Sequence, residues 1–551
     1  MFPRAFTDYF ETCSRATVPH NHTVTRSLAP LLLLTLALAA SAASPRMTSS
    51  EVAQVIMQAI ARAEKVETNA TIAVVDREGF VLGVWSVDGT VKGLDVLDAI
   101  TKAGTASFLS SDQHAFTSRT AGYIVQQHFP PGVKNRATGP LVGVNFSNMS
   151  FTDVNRFKNP NMGRDSGSTE SGTNGAPIDG PAPITGLAGS PGGVPLFRDG
   201  VLIGGVGVAG STIAPRRSPL AALADIQVHQ HRDLDEDVAL AGQSGFRPPK
   251  FLFGSHVFID GIRVPYVNTK TKHADTNEIG LLGSGNPAYP IVESPLVEYP
   301  SNLFGGQWCE IRATITNDPI AGDIRGQARL TSNEVATILS QASARAKITR
   351  AGIRLPRGKA AQTFITVVNN PDSPGAPPTI LGTIRTPGAT LFSWDVAIQK
   401  ARTAIFFSSD TNAFSSRTVG FLAQQFYPPG ISRTTPGPLY KLQERFSLFP
   451  TMVFGMPLTN ILNGVVLSEA LSDPDPNLPN GITIFPGGFP LYRGGVLIGA
   501  IGVSGDGIDQ DDIISSAGTA GFQPPAEIRA DHMQYHGARL PYAKYPRNPD
   551  L

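Results

Sequence analysis

The sequence predicts an α/β protein of the α+β type, built from two homologous modules that each hold an antiparallel sheet backed by helices. Two observations carry this prediction. Long blocks of the chain occur twice, and within each copy hairpin patterns alternate with helical ones instead of strands joined by helical crossovers. The length of 551 residues also agrees with more than one domain, since a domain takes roughly 100 to 200 residues.

Three pairs of segments show the repeat. "MTSSEVAQVIMQAIARAE" at Met47 returns as "LTSNEVATILSQASARAK" at Leu330, and "KAGTASFLSSDQHAFTSRTAGYIVQQHFPPG" from Lys102 returns from Lys400. "GVPLFRDGVLIGGVGVAGS" at 193–211 returns as "GFPLYRGGVLIGAIGVSGD" at 488–506. We therefore predict modules at 47–267 and 329–543, joined by a proline-rich connector at 268–328 that wraps the surface.

The elements of the first module follow from hydrophobic periodicity and turn residues. Apolar residues spaced by three and four from Val52 to Ala63 predict an amphipathic helix, and two apolar runs around 76–79 predict a hairpin. Helices are predicted at 95–109 and 118–129, the second closed by Pro130 and Pro131. A second hairpin at 194–208 and a short helix from Asp235 complete the module.

The beginning of the chain has the pattern of a secretory signal over residues 1–43. Arg26 precedes an apolar run from Leu28, which ends in small residues around Ala42. The run is short for a membrane span of about 20 residues, so no stable span is predicted and a signal anchor is the open alternative. We expect a secreted or periplasmic protein. The formal charge of +1 gives no general attraction for nucleic acid.

Cysteine usage restricts the chemistry. The chain holds Cys13 and Cys309, and removal of the signal leaves Cys309 alone. An internal disulfide, a multi-cysteine zinc site and covalent haem attachment through Cys-x-x-Cys-His are therefore excluded for the mature chain. Cys309 is expected to be a buried, unreactive thiol.

The glycine-rich hairpin matches G-x-G-x-x-G at 205–210, the pattern of a dinucleotide-binding loop. The context disagrees with that function, because prolines follow directly and Ala500 replaces the first glycine in the second copy. We expect the glycines to let another backbone, or a flat ligand, approach the sheet closely.

Several of these segments together resemble the GlcG/HbpS family of haem-binding proteins. They are the opening helix, "IAVVDREG" at Ile72, "KAGTASF" with "KARTAIFF", the glycine-rich hairpin pair, and the acidic start of the last helix, "DEDVALAG". The second module departs from the family pattern at Asn369, where the acidic residue of the strand is lost. The resemblance implies profilin-like or PAS-like modules and, in some members, secretion, homo-oligomers and haem binding.

The resemblance therefore implies a secreted, non-covalent haem or tetrapyrrole binder for capture, storage or sensing. Its small planar ligand would need an apolar slot, an axial donor and cations for the propionates. The tandem copies are expected to pack as an internal pseudo-dimer, or to form a homo-oligomer. Two alternatives stay open: an enzyme acting on a small organic acid, and a structural module without a bound small molecule. No G-x-S-x-G, H-E-x-x-H or P-loop motif supports catalysis.

His256 and His532 are the candidate axial donors, because they are the mature histidines that occupy matching positions in both copies. A structural role in a shared C-terminal extension is the alternative. His229 and His231 could bind a metal, but two ligands do not make a site.

Candidate cations for the propionates are Lys102, Lys400, Arg119 and Arg417, which recur in register. For the two lysines the alternative is a solvated helix face, and for the two arginines it is a structural ion pair with Asp112 and Asp410. The acidic residues that begin each terminal helix are expected to be caps: Asp235, Glu236, Asp511 and Asp512.

Overall fold

We describe the fold from a computed structural model, which covers residues 45–126, 129–131, 133, 139–144, 147–148, 152, 154, 187–210, 231–269, 280–296, 298–353, 358–373, 375–431, 433–442 and 478–544. The predicted signal at 1–43 lies outside these ranges. Within them, no helix has the length and apolar character that crossing a membrane requires.

The first module follows the predicted order of elements. Its helices are α1 (Ser49–Val66), α2 (Gly93–Phe108), α3 (Ser118–Ile124) and α4 (Leu234–Gly242). Its strands are β1 (Thr71–Asp76), β2 (Val81–Ser86), β3 (Gly193–Arg198) and β4 (Val201–Ala209), followed by the short pair β5 (Phe258–Ile259) and β6 (Ile262–Arg263). α3 ends five residues before the predicted end, because the amides of Gly139 and Leu141 bond the carbonyls of Gln126 and Ile124 and turn the chain back.

The second module repeats these elements. Its helices are α5 (Ser332–Ile348), α6 (Phe392–Phe406), α7 (Ser416–Leu422) and α8 (Ile508–Gly518). Its strands are β10 (Phe364–Asn369), β11 (Ile380–Arg385), β12 (Gly488–Arg493), β13 (Val496–Ser504), β14 (Gln534–Tyr535) and β15 (Ala538–Arg539). The repeat extends to the register: β1 pairs with β4 from Thr71 opposite Ala209, and β10 pairs with β13 from Phe364 opposite Ser504.

The segment 268–328 does more than the surface connection that we expected. It forms β7 (Asn286–Tyr289), β8 (Ser301–Phe304) and β9 (Gln307–Ala313). β7 closes the first sheet, in the order β3-β4-β1-β2-β7, and the hairpin of β8 and β9 closes the second, in the order β12-β13-β10-β11-β9-β8. Both sheets are antiparallel throughout, which confirms the predicted fold class.

The hairpin glycines allow a helix to lie directly on the sheet. A Cβ added at Gly207 would lie 2.1 Å from the carbonyl oxygen of Ala99 in α2, and one at Gly502 would lie 1.9 Å from that of Ala397 in α6. Residues 205–209 belong to strand β4, so the G-x-G-x-x-G match is not a nucleotide loop. We expected either another backbone or a flat ligand against the hairpin glycines. The structure shows a helix backbone there, which leaves no room for a flat ligand.

The two modules share one hydrophobic core cluster. It joins α2 residues such as Ile100 to α6 residues such as Trp394. Polar contacts reinforce the junction: Asp395 accepts from the amide of Asn148 at 2.6 Å and from the hydroxyl of Thr152 at 3.0 Å. Cys309 is buried at this core, where burial raises the pKa of its thiol, as the sequence led us to expect.

Candidate functional site

A buried ion pair lies behind each glycine-rich hairpin. In the first module, the ammonium of Lys102 on α2 lies 2.7 Å from Asp235 Oδ2 on α4 and 2.9 Å from Asp98 Oδ2, and it donates to the carbonyl of Val208. In the second module, Lys400 lies 2.7 Å from Asp511 Oδ2 and donates to the carbonyl of Val503. The side chains of both lysines are 1% exposed.

Each terminal helix also pairs with an arginine of a short helix, Arg119 of α3 in the first module and Arg417 of α7 in the second. Arg119 is fully buried and forms a two-pronged pair with Glu236, with distances of 2.9 and 3.0 Å from Nε. Arg417 pairs with Asp512 at 2.7 Å and with Asp509 at 2.6 Å. The predicted partners were wrong: Asp112 accepts instead from the amide of Leu202, and Asp410 from that of Leu497.

The acidic residues of the terminal helices are therefore ion-pair partners, and the prediction that they are caps needs correction. The N-cap of α4 is Asp233, whose side chain accepts from the amide of Asp235. In α8 the N-cap is Gly507, without a side-chain cap. The four predicted cations are neutralised by carboxylates of their own module, and the constellation that motivated the enzyme alternative lies inside the fold.

The first module surrounds its lysine with more carboxylates than the second does. Burial raises the pKa of Glu67 to about 9 and that of Asp98 to about 6. The equivalent of Asp98 in the second module is Val396. Among the described residues, no group of three or more His, Cys, Asp or Glu side chains has a geometry that would hold a metal ion.

An open groove of about 400 Å³ lies on the C-terminal extension of the first module. Its lining combines aromatic rings, a cation and small apolar residues: Tyr123, Phe253, Ser255, Arg263, Val264, Pro265, Tyr266 and Val267. The volume falls in the range of sites for small organic ligands, roughly 300 to 1,000 Å³.

Helix α3 positions this groove. The hydroxyls of Thr117 and Thr120, at the start of the helix, donate to the carbonyls of Tyr266 and Pro265 at 2.5 and 2.6 Å. The ring of Phe253 then stacks on that of Tyr266, with centroids 4.4 Å apart and planes 10° apart. The extension is thus held against the module as a preformed aromatic surface.

Two exposed phenylalanines lie close in sequence to the groove residues. Phe251, two residues before Phe253, is 75% exposed, and Phe258 is 55% exposed. The guanidinium of Arg263 lies 5.4 Å from the centre of the Phe258 ring. Large apolar side chains at this exposure are typical of a binding surface when they cluster with a pocket.

The second module has charged residues at the equivalent positions. Arg529 stands where the first module has Phe253, and it pairs with Asp531 at 2.5 Å while lying 5.2 Å from the ring centre of Tyr542. Arg539 approaches the same carboxylate at 3.9 Å. Glu527 and Gln534 replace the exposed phenylalanines. The aromatic groove is therefore a property of the first module.

The predicted histidines lie beside these surfaces. His256 ends the 3₁₀ turn Gly254–His256, whose Ser255 lines the groove, and His532 ends the equivalent turn Ala530–His532. Both are exposed. Their role as axial donors stays a prediction. His229 lies outside the described residues, and the exposed His231 accepts from Arg119 through its backbone carbonyl.

The structure thus brings His256 next to an aromatic groove and places the four predicted cations elsewhere. Sequence reasoning missed Phe253 because the search favoured residues common to both copies, and Phe253 occurs in the first copy alone. It also passed over Arg263 and Tyr266, although Arg539 and Tyr542 match them in the second copy. The signal that could have revealed the phenylalanines is a difference between the copies. The first copy reads "KFLFGSHVF" where the second reads "AEIRADHMQ", which lacks all three phenylalanines.

These features define a tandem α+β protein with an open groove on its first module. Residues 346–520 match the model of a family described as "Haem degrading protein HbpS-like", which supports the family resemblance drawn from the sequence for this part of the chain. The first module shares its order of elements and strand register.

Solved structures similar to this chain include the following three. The PduOC:heme complex is 21% identical, over 35% of this chain and 96% of that one, with a TM-score of 0.21. The Klebsiella pneumoniae protein ORFY is 18% identical, over 37% of this chain and 92% of that one, with a TM-score of 0.21. HbpS is 17% identical, over 37% and 97%, with a TM-score of 0.19. No curated protein matches the sequence.

Proposed function

We propose that this protein binds haem or a related tetrapyrrole non-covalently in the groove of the first module. The observation that carries the proposal is the contrast between the modules. The first extension has an open groove with Phe253, Ser255 and Arg263, whereas the second has Arg529 and Asp531 in place of Phe253 and Ser255, paired with each other. The HbpS-like family match, at residues 346–520, supports haem as the ligand, since the family description names haem, and it does not include the groove residues.

The residues of the groove fit such a ligand. Phe253, which stacks on the buried Tyr266, and Tyr123 offer apolar ring surface to a macrocycle. Arg263 offers a planar guanidinium, which pairs with carboxylates in a two-pronged geometry suited to a propionate. His256 lies on the same turn and is the donor that we propose for the iron. Bound haem would supply an iron centre, and the protein would hold and shield the ring.

Titration with haemin tests the site. We expect wild-type protein to give a shifted, saturable Soret band. Phe253→Ala and Arg263→Ala are each expected to weaken binding by about tenfold or more, since a buried aromatic contact or a charged pair is worth about 1.4 kcal/mol or more. The matched control is Arg539→Ala, at the position equivalent to Arg263, which should leave affinity unchanged.

Two results would count against this assignment. A wild-type absorption spectrum identical to that of free haemin would remove the function. Equal losses in Arg263→Ala and Arg539→Ala would move the site away from the first-module groove.

We further propose that the mature protein is exported, for haem capture, storage or sensing outside the cytoplasm. The signal-like pattern at 1–43 supports this proposal. N-terminal sequencing of the protein from its native source should find a chain that starts near residue 43 or 44. A mature chain that keeps residues 1–43 would contradict export by cleavage.

A further inference from the structure

A second cavity, of about 300 Å³, lies where the modules meet, remote in sequence from the aromatic groove. Its lining is dominated by charge, with four arginines and three glutamates: Arg46, Arg77, Arg312, Arg385, Glu78, Glu298 and Glu310, beside Pro45, Leu296, Tyr299 and Ser301. Arg77 and Glu78 come from the first hairpin, whereas Arg312 and Arg385 belong to the second sheet.

Arg312 is the fixed centre of this cavity. Its Nη1 lies 3.0 and 2.9 Å from the two oxygens of Glu78, and its Nη2 lies 2.5 Å from Glu310 Oε2. The guanidinium carbon lies 3.8 Å from the ring centre of Tyr299. Ion pairing and ring contact together hold this cation in one orientation across the module junction.

The field of the cavity favours a negative charge. Burial raises the pKa of Glu310, but the charges of Arg385 and Arg312 outweigh burial and lower it to about 2. Arg385 donates to the carbonyl of Ala389 and lies 3.2 Å from the same glutamate. Burial lowers the pKa of Arg385, and the nearby positive charges of Arg312 and Arg77 add to that decrease while Glu310 opposes it. Glu310 is thus one anion serving two buried cations.

Arg77 adds a further positive charge to this wall. It is half-buried and lines the cavity, and it forms no salt bridge with the residues that the structure describes. The carboxylate of Glu78, its neighbour, is already held by Arg312. A guanidinium that faces solvent-filled space next to two others matches the geometry of carboxylate and phosphate recognition.

We propose that this junction cavity binds a small oxyanion, a carboxylate or phosphate group, between Arg77 and the pair formed by Arg312 and Arg385. Glu310 acts as the internal competitor of the ligand, because it occupies one face of the same two guanidiniums. Since the arginines come from both modules, the bound anion would also stabilise the junction.

Calorimetric titration with inorganic phosphate and, separately, with succinate, at constant ionic strength and without haem, tests the site. We expect binding of at least one of the two, and the stronger one identifies the class. Arg77→Gln should weaken that binding by about tenfold or more. Glu310→Gln should strengthen it, because the substitution removes the carboxylate that competes for Nη2 of Arg312 and Nη1 of Arg385. Arg350→Gln, at an exposed arginine outside the cavity, is the matched control.

Opposite effects of Arg77→Gln and Glu310→Gln would support a site at this cavity, since general loss of structure cannot strengthen binding. The proposal is overturned if neither anion binds the wild-type protein, or if Arg77→Gln and Arg350→Gln bind equally well. It is also overturned if Glu310→Gln, folded by circular dichroism, weakens binding.

Discussion

Lys102 and Asp235 form an ion pair of 2.7 Å between two helices, and Lys400 and Asp511 repeat it at the same distance in the second module. In both modules a glycine with positive φ, Gly192 or Gly487, lies against the pair. A Cβ at Gly192 would lie 2.8 Å from the Cβ of Asp235 and 2.7 Å from the carbonyl of Val208. The repeated Gly-Gly before each hairpin therefore leaves space for a buried charge pair.

Removing one partner of this pair should be costly. Lys400→Met leaves Asp511 buried without its cation, so we expect a loss of about 3–5 kcal/mol of stability, and the double variant with Asp511→Leu should recover much of it. Chemical denaturation followed by fluorescence measures both. Lys359→Met, at an exposed lysine, is the control. Independent, additive effects of the two substitutions would show that the pair is not coupled.

The close contact between helix and sheet can be tested at Gly502. An added methyl group meets the carbonyl of Ala397 at 1.9 Å, so we expect Gly502→Ala to lower stability by about 1–3 kcal/mol or more. Gly283→Ala is a suitable control, because a Cβ there meets nothing within 4 Å. Equal melting temperatures for the two variants would contradict the packing described for the hairpin.

Asp76 gives stability a dependence on pH. Burial raises its pKa to about 7 in the folded protein, against about 3.9 in an unfolded chain. The folded state therefore holds the proton more tightly, and the stabilisation present below about pH 4 is lost as the pH rises through 7. Asp76→Asn should reduce that decline, and Asp323→Asn, at an exposed carboxylate, should not.

Unfolding midpoints measured from pH 4 to pH 8 report this difference. The second module supports the choice of substitution, since Asn369 occupies the equivalent strand end and bonds Thr379 and Asp318 through its amide. An unchanged slope in Asp76→Asn would mean that the group titrates normally in the folded protein.

The element order, the antiparallel sheets and the buried Cys309 could be predicted from the sequence, because periodicity, turns and the internal repeat are local signals. The edge strands from 268–328 could not. "NPAY" and "SNLF" are four-residue runs without clear alternation, and their pairing depends on sheet edges formed by distant segments.

The carboxylate partners of the buried lysines and arginines also could not be predicted from the sequence. Arg119 and Glu236 are far apart along the chain, and the acidic helix start predicts a cap equally well from local rules. The groove was missed for a different reason: a search for shared residues cannot find a feature that one copy has lost. Its aromatic residues, Phe251, Phe253 and Phe258, are visible in the sequence only when the copies are compared for their differences.

His256 should determine the electronic spectrum of the haem complex. If it is the axial donor, His256→Ala should shift the visible bands of the bound haem, since loss of an imidazole changes the ligand field of the iron. His532→Ala, the equivalent change in the second module, should leave the spectrum as in wild type. Identical spectra for His256→Ala and wild type would exclude this residue as the donor.

The stoichiometry of haemin binding tests the central claim most directly. Because the paired Arg529 and Asp531 replace the groove residues Phe253 and Ser255 in the second module, absorbance at the Soret band should saturate at one equivalent of haemin per chain. Saturation at two equivalents, or a spectrum that stays that of free haemin, would contradict a single haem site on the first module.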